Sequence, residues 1–298
     1  MRVTLIVNPA AGCSRGVAAA AMAAEEFARA GWEVSQALTQ GPGDAIELAR
    51  AAAEAGCDAV LACGGDGTLS QVLAGLLDSG IPAGIIPAGT GNDFARTIGL
   101  SRHPRHAARQ LLRGKVASID LLQVNDGALW SVNVMGLGFD AQVTLRMNGR
   151  TGSGAGLATY LIAVARELIT YRPTRLRVTV DGETWQGPAV LLAVANARSY
   201  GAGMKIAPMA EVDDGRLDVV LVEHIGRLEL LYNFPRVFRG THTSHPAVHI
   251  WRGTQVAIET LDGPAPVLVD GDVQCRTPLT VRVSPGRARL LMPGAREG

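Results

Sequence analysis

Charge is scarce in this chain of 298 residues. Only 18% of its residues are charged and the formal net charge is +1, so nothing overall points to nucleic acid or to a strongly acidic partner, and any basic surface has to be local. Cysteine is scarce too. Cys13, Cys57, Cys63 and Cys275 are scattered, with neither CxxC spacing nor a matching group of histidines, which excludes a disulfide framework and a zinc site as readings and fits a reducing cytoplasm. Long hydrophobic runs are missing as well. The most apolar later stretch, residues 157–165, is broken by Tyr160 and followed by Arg166 and Glu167, far short of a bilayer span. The opening MRVTLIVNPAAG has one basic residue and passes from a short apolar run straight into a turn, which reads as a buried first strand and not as a signal peptide. What the chain does have is 47% hydrophobic content, enough for real cores in one large or two ordinary domains. A soluble cytoplasmic protein is expected, one that at most visits a membrane surface.

The first part alternates strand-like and helix-like segments. Residues 3–7, 34–38, 59–62 and 83–86 are short β-rich apolar runs, while 17–30, 44–55 and 69–77 have helical patterning. Such alternation implies a mostly parallel sheet covered on both faces, with ligands beyond the carboxyl ends of the strands. From about Ile119 the pattern changes to short β-rich runs separated by Gly, Asp and Pro turns: 132–135, 176–180, 189–195, 217–222, 254–259, 267–269 and 279–283. A second domain of largely antiparallel sheet is expected, with helical insertions at 158–171 and 228–239. The division is an α/β domain over 1–122, which the tail 287–298 can rejoin, and a β-sandwich domain over 123–286. No low-complexity linker separates them.

Three glycine turns follow strands of the first domain. In CGGDGTLSQV, consecutive glycines let the backbone turn sharply and approach a bulky ligand, and the helix expected from Leu69 presents an amino end that favours phosphate. Asp66 within it can hold magnesium or order its water shell. The string is neither a GxxxxGK[ST] loop nor GxGxxG, and a purely structural strand-to-helix turn is the competing reading. The second turn, AGTGNDFAR, offers Thr90 and its flanking amides to phosphate and pairs Asp93 with Arg96, while Asn92 or Asp93 equally makes a helix N-cap. The third, residues 8–12, reads as structural when taken alone.

Together GGDGT, GTGNDFAR and VNPAAG resemble the diacylglycerol kinase catalytic-domain family, which includes bacterial lipid kinases and, more distantly, sphingosine kinases. The resemblance extends through VNVMGLGFDA, DDGRLDVV, PRVFRGTH and VDGD, nearly the whole chain. It implies an NAD-kinase-like amino-terminal domain, a carboxyl-terminal β-sandwich, and ATP, magnesium and a lipid substrate meeting in a cleft. Nucleotide contacts are then expected at Asn8, Pro9, Ala10, Ala11 and Gly12, at Thr39, at Gly64, Gly65, Asp66, Gly67, Thr68, Leu69 and Ser70, and at Thr90. Asp66, Asp93 and Asp120 resemble the family's acidic network near the catalytic magnesium, with Arg96 orienting it. Glu211, Asp214 and Arg216 match a loop that holds a second, structural magnesium in bacterial members; an acidic hairpin turn is the alternative. Asp272 stands where the family usually has the glutamate thought to take the proton from the lipid hydroxyl. Aspartate is a competent base but one methylene shorter.

Phosphoryl transfer needs positioning and charge neutralisation more than covalent chemistry, so the cysteines read as core residues. Residues 227–252 gather arginines and histidines around apolar positions, a pattern that suits either an anionic lipid surface or ordinary packing with solvated arginines outside. A homodimer is compatible with the sequence. Two further functions compete: an NAD kinase, because GGDGT is shared with that group, and a non-catalytic nucleotide- or lipid-binding regulator, because of Asp272.

Overall fold

A computed structural model describes residues 1–148, 171–201 and 203–294. The chain divides into two compact units, Met1–Asp120 with Gly286–Gly298, and Leu121–Pro285.

In the first unit, strands β1 (Arg2–Val7), β2 (Glu33–Leu38), β3 (Ala59–Gly64) and β4 (Ala83–Pro87) run parallel in the order β2-β1-β3-β4. Every residue of β3 and β4 is buried, the mark of strands covered on both faces. The cover comes from helices α1 (Ala11–Ser14), α2 (Gly16–Arg29), α3 (Asp44–Glu54), α4 (Asp66–Gly75), α5 (Asp93–Thr97) and α6 (Pro104–Leu112). Alanine makes their packing close: α2 buries Ala19, Ala20, Ala23 and Phe27, and α3 buries Ala45, Ala49 and Ala52. One charged group is buried between α2 and α6. Glu26, 6% exposed, receives Arg105 and Arg109 at 3.1 and 2.9 Å, and the Arg109 hydrogen bond foremost holds its carboxyl below the usual range.

The second unit is antiparallel. It comprises β5 (Lys115–Val124), β6 (Leu129–Ser131), β7 (Val134–Gly138), α7 (Phe139–Asn148), β8 (Thr174–Val180), β9 (Glu183–Ala195), β10 (Leu217–Glu223), α8 (Arg227–Asn233), β11 (Val248–Gly253), β12 (Gln255–Thr260), β13 (Pro266–Val269), β14 (Asp272–Arg276) and β15 (Leu279–Met292), β5 and β15 also supplying residues to the first unit. The long strand β9 pairs with β8 along its first half and with β7 and β10 along its second. Alternation along β9 and β10 sorts two apolar layers. Leu192, Val194, Leu217, Val219 and Leu221 face the sandwich interior, whereas Ala193, Ala195 and Val220 join a separate layer with α7, α8 and the following 3-10 turns.

The expected elements recur with three differences. Helix α4 starts at Asp66, not Leu69, so Asp66, Gly67 and Thr68 form its first turn. The helix expected over 228–239 ends at Asn233 and continues as a 3-10 turn over Phe234–Phe238, because Pro235 has no amide hydrogen to donate and restricts the residue before it. The helix expected at 158–171 lies outside the described residues except for Tyr171. No helix among the described residues is long and apolar enough to cross a membrane.

Candidate active site

The glycine turns of the first unit meet at one edge of its sheet. Beyond the carboxyl end of β1, the Asn8 amide donates to Cys63 O at 3.0 Å. Beyond β4, the Ala88 and Gly89 amides donate to Gly64 O at 2.9 and 3.1 Å, and Thr39 N donates to Val7 O at 2.9 Å. All four segments expected to touch nucleotide therefore share that edge. They stack so closely that side chains are excluded: a Cβ on Gly89 would fall 2.7 Å from the Gly65 Cα, and one on Gly12, already at φ +55°, would fall 2.0 Å from Ala88 O. The turns pack backbone against backbone. Asn8 ties the turns together, accepting from Ala10 N at 3.0 Å and donating to Thr68 Oγ1 at 3.4 Å. Gly65 caps α4 with no side-chain acceptor, leaving a helix amino end suited to phosphate. Leu69 supports this turn from beneath, with its side chain fully buried and its amide bonded to Gly65 O; Ser70 is also buried, while Thr90 is exposed.

Asp66 faces sideways from these turns. Its two oxygens accept the Asp93 and Phe94 amides, each at 3.0 Å, so it caps α5 from another helix. Asn92, at φ 53°, does not cap with its side chain, which donates instead to Gly89 O at 2.7 Å. Asp93 is buried, and its carboxylate lies 4.0 Å from Arg96 Nε, a looser pairing than the hydrogen-bonded pair expected from sequence. Asp120, also buried, accepts from Gly286 N at 2.7 Å. The carboxylates are hard oxygen donors that suit magnesium. Among the described residues no three His, Cys, Asp or Glu side chains form a metal-holding group.

In the second unit the VDGD string is the hairpin between β13 and β14. Asp270 and Gly271 take φ values of 50° and 100°, the left-handed pair that a tight two-residue turn needs. The two aspartates diverge. Asp270 is buried and accepts Ser131 Oγ, Val132 N and Asn133 N at 2.7, 2.9 and 2.9 Å, locking the hairpin against the start of β7. Sequence reading missed this role; the only local signal was the Asp-Gly turn. Asp272 opens β14 with its side chain exposed, and desolvation by the surrounding protein raises its carboxyl pKa, which makes it a better proton acceptor than an ordinary aspartate. The two motif carboxylates thus separate into a buried, fully bonded one and an exposed one.

The loop at 211–216 is closed by arginine. Asp214 accepts Arg216 N at 3.0 Å and is in direct contact with the Arg252 guanidinium, which also lies 3.3 Å from Asp218. Asp218 is buried, and that burial pushes its pKa up to about 6. Glu211 sits 4.0 Å from Arg198. Arg252 supplies the positive charge at this loop.

The apolar layer over β9 and β10 borders a narrow, open cleft of about 70 Å³, lined by Phe139, Leu191, Ile206, Val222, Leu230 and Phe234 among others. At its margin the buried carboxylate of Asp140 accepts Tyr200 Oη at 3.2 Å and the Ala141 amide at 2.7 Å, and burial pushes its pKa up to about 7. No sequence motif announced this cleft, since its walls come from residues between 139 and 248. Cys63 is buried, donates to Gly16 O at 3.4 Å, and has its pKa pushed up to about 12, the environment of an unreactive thiol.

Comparison with known proteins matches the same two regions. Residues 2–124 match the diacylglycerol kinase catalytic domain, and residues 133–292 match the YegS C-terminal NAD kinase beta sandwich-like domain. Diacylglycerol kinase of Mycobacterium tuberculosis is 36% identical over 297 residues, covering 98% of this chain and 95% of that protein; diacylglycerol kinase of Bacillus subtilis is 30% identical, covering 86% and 85%. The crystal structure of a diacylglycerol kinase from Bacillus anthracis superposes with a TM-score of 0.79 at 25% identity, covering 98% of this chain and 96% of that one. An α/β unit with a glycine-turn cradle, an antiparallel sandwich unit and relatives of this extent make the chain a member of the diacylglycerol kinase catalytic-domain family, a lipid kinase.

Proposed function

We propose that this lipid kinase transfers the γ-phosphate of ATP, with magnesium, to a hydroxyl of diacylglycerol or a related lipid. The observation that carries the reading is the apolar lining of the cleft in the second unit, chemistry that suits a lipid chain and not a nicotinamide dinucleotide.

The amide surface of residues 8–12, 64–68 and 88–90 holds the phosphates, and the open amino end of α4 adds its dipole. Asp66, with Asp93 beside it, would hold magnesium, which would supply positive charge to the transferring phosphoryl group. Asp120 and Arg96 belong to the same acidic network as positioning residues. Asp272 accepts the proton of the lipid hydroxyl. As that proton leaves, the hydroxyl oxygen bonds to the γ-phosphorus and the bond from the γ-phosphorus to its bridging oxygen breaks, releasing ADP. No covalent enzyme intermediate is required. A second magnesium at Asp214, with oxygens of Glu211 and Arg216, requires Arg252 to swing off the carboxylate, and a magnesium titration of Arg252→Ala against the unaltered protein tests that exchange. The enzyme works in the cytoplasm and meets its lipid at the membrane surface.

Incubation with magnesium, ATP labelled at the γ-phosphate and a panel of lipids, followed by mass identification of the product, should place the label on a lipid hydroxyl. Formation of labelled NADP from added NAD with no lipid product would make the protein an NAD kinase. Intact ATP after long incubation with every lipid would make it a binding protein.

A further inference from the structure

Helix α8 has two unlike faces. Leu230 and Phe234 line the apolar cleft. Leu228 and Tyr232, one turn apart and on another face, are 84% and 83% exposed, while no other large apolar side chain among the described residues exceeds 51%. Two such side chains projecting together from a seven-residue helix pack little of their surface against the described residues. Neither supports the fold.

Three arginines and one acid lie on and just after this helix. Arg227 opens the helix, and Arg239 follows it with an exposed side chain. Arg236 bonds only neutral groups among the described residues, namely Asn233 Oδ1, Thr241 O and Ser244 Oγ at 2.8, 2.7 and 2.7 Å, so its charge is not cancelled. The one acid on the helix, Glu229, is bound at 3.1 Å by His245. An exposed apolar pair containing tyrosine, on a helix with arginines at its start and just beyond its end that no described carboxylate pairs, matches an interfacial element. Aromatic rings settle at headgroup depth, aliphatic side chains reach the acyl boundary, and arginines meet anionic phosphates.

We propose that α8 is the membrane-docking element of this enzyme, with Leu228 and Tyr232 inserting into an anionic bilayer while the other face of the same helix walls the acyl cleft. The inference rests on the lipid-kinase reading for its purpose, but not for its measurement. One short helix then touches the bilayer and the cleft together, so an acyl chain leaving the membrane beside Leu228 and Tyr232 meets Leu230 and Phe234 next.

The test is sedimentation of the full chain with vesicles, without nucleotide, comparing phosphatidylcholine alone with phosphatidylcholine carrying a third phosphatidylglycerol. The unaltered protein should bind the anionic vesicles and release with added salt. The double variant Leu228→Asp/Tyr232→Asp should bind at least tenfold less, with unchanged thermal unfolding because neither side chain is packed. Its phosphorylation of a water-soluble short-chain diacylglycerol should match the unaltered protein, and its activity on the same lipid in vesicles should fall. Equal vesicle binding by both proteins would overturn the proposal, as would failure of the unaltered protein to bind. A dimer abolished by the double variant, without vesicle binding, would make the patch a protein interface. Loss of all phosphorylation by the unaltered protein with vesicle binding intact would refute the kinase reading and leave the docking surface standing.

Discussion

The two units carry their chemistry in different materials. In the first, backbone packs on backbone at the ends of parallel strands, where a Cβ on Gly12, Gly64 or Gly89 would collide with its neighbours. In the second, side chains make the features: an apolar cleft whose walls come from α7, β9, β10, α8 and the turns after it, and an exposed aspartate that opens β14. A phosphate presents the same oxygens whatever it is attached to, so a rigid set of amides suffices. A lipid presents length and flexibility, which a cleft lined by many contacts accommodates. The difference also separates what each unit tolerates. The amide surface has almost no freedom to vary, whereas the cleft can be reshaped one residue at a time.

Substitutions can break or sharpen this contrast. The largest effect should come from the reactive aspartate of the second unit. Asp272→Asn should lower turnover by about 1000-fold, within the usual range for losing a general base, while leaving ATP binding by the first unit unchanged in calorimetric titration. Next comes the amide surface. Gly89→Ala forces a Cβ against the Gly65 Cα and Asn92 Oδ1 and should cost about 2 to 3 kcal/mol in denaturant unfolding, with ATP affinity lost alongside stability.

A smaller effect concerns Asp140. Its pKa in the folded chain, about 7, lies above its ordinary value of 3.8. The folded state therefore holds a proton that the unfolded state has released between pH 4 and 7. That contribution to stability is full below pH 4 and is lost as pH rises through 7. Asp140→Asn should flatten this dependence, by on the order of 2 kcal/mol between pH 5 and 8 in denaturant titrations. The smallest should be Val222→Trp, which fills part of the cleft. It should raise KM for long-chain substrate about tenfold and leave KM for ATP and for a short-chain lipid alone.

The same contrast explains how much was legible in the sequence. The α/β unit and its cradle could be read because GGDGT and GTGNDFAR are contiguous, follow apolar strands, and are constrained by close backbone approach. Asp66 could be picked out as well. Its partners, the Asp93 and Phe94 amides, could not, since nothing in the string says that a residue in the first turn of α4 will cap α5. The hairpin at 270–272 was visible as a turn. The assignment of Asp270 to scaffold and Asp272 to exposed carboxylate needed the three donors around residues 131–133. The cleft was invisible because its walls are assembled by strand order, and Arg252 against Asp214 and Asp218 joins residues that a strand pairing alone brings together.

The most direct measurement sets both acceptors in one vessel: the full chain with magnesium, γ-labelled ATP, diacylglycerol in vesicles and NAD at equal concentration, with products separated and identified by mass. Label on the lipid hydroxyl, absent in the Asp272→Asn protein, is the predicted result. Label on the NAD ribose, or on the lipid at an undiminished rate in the Asp272→Asn protein, would contradict the account.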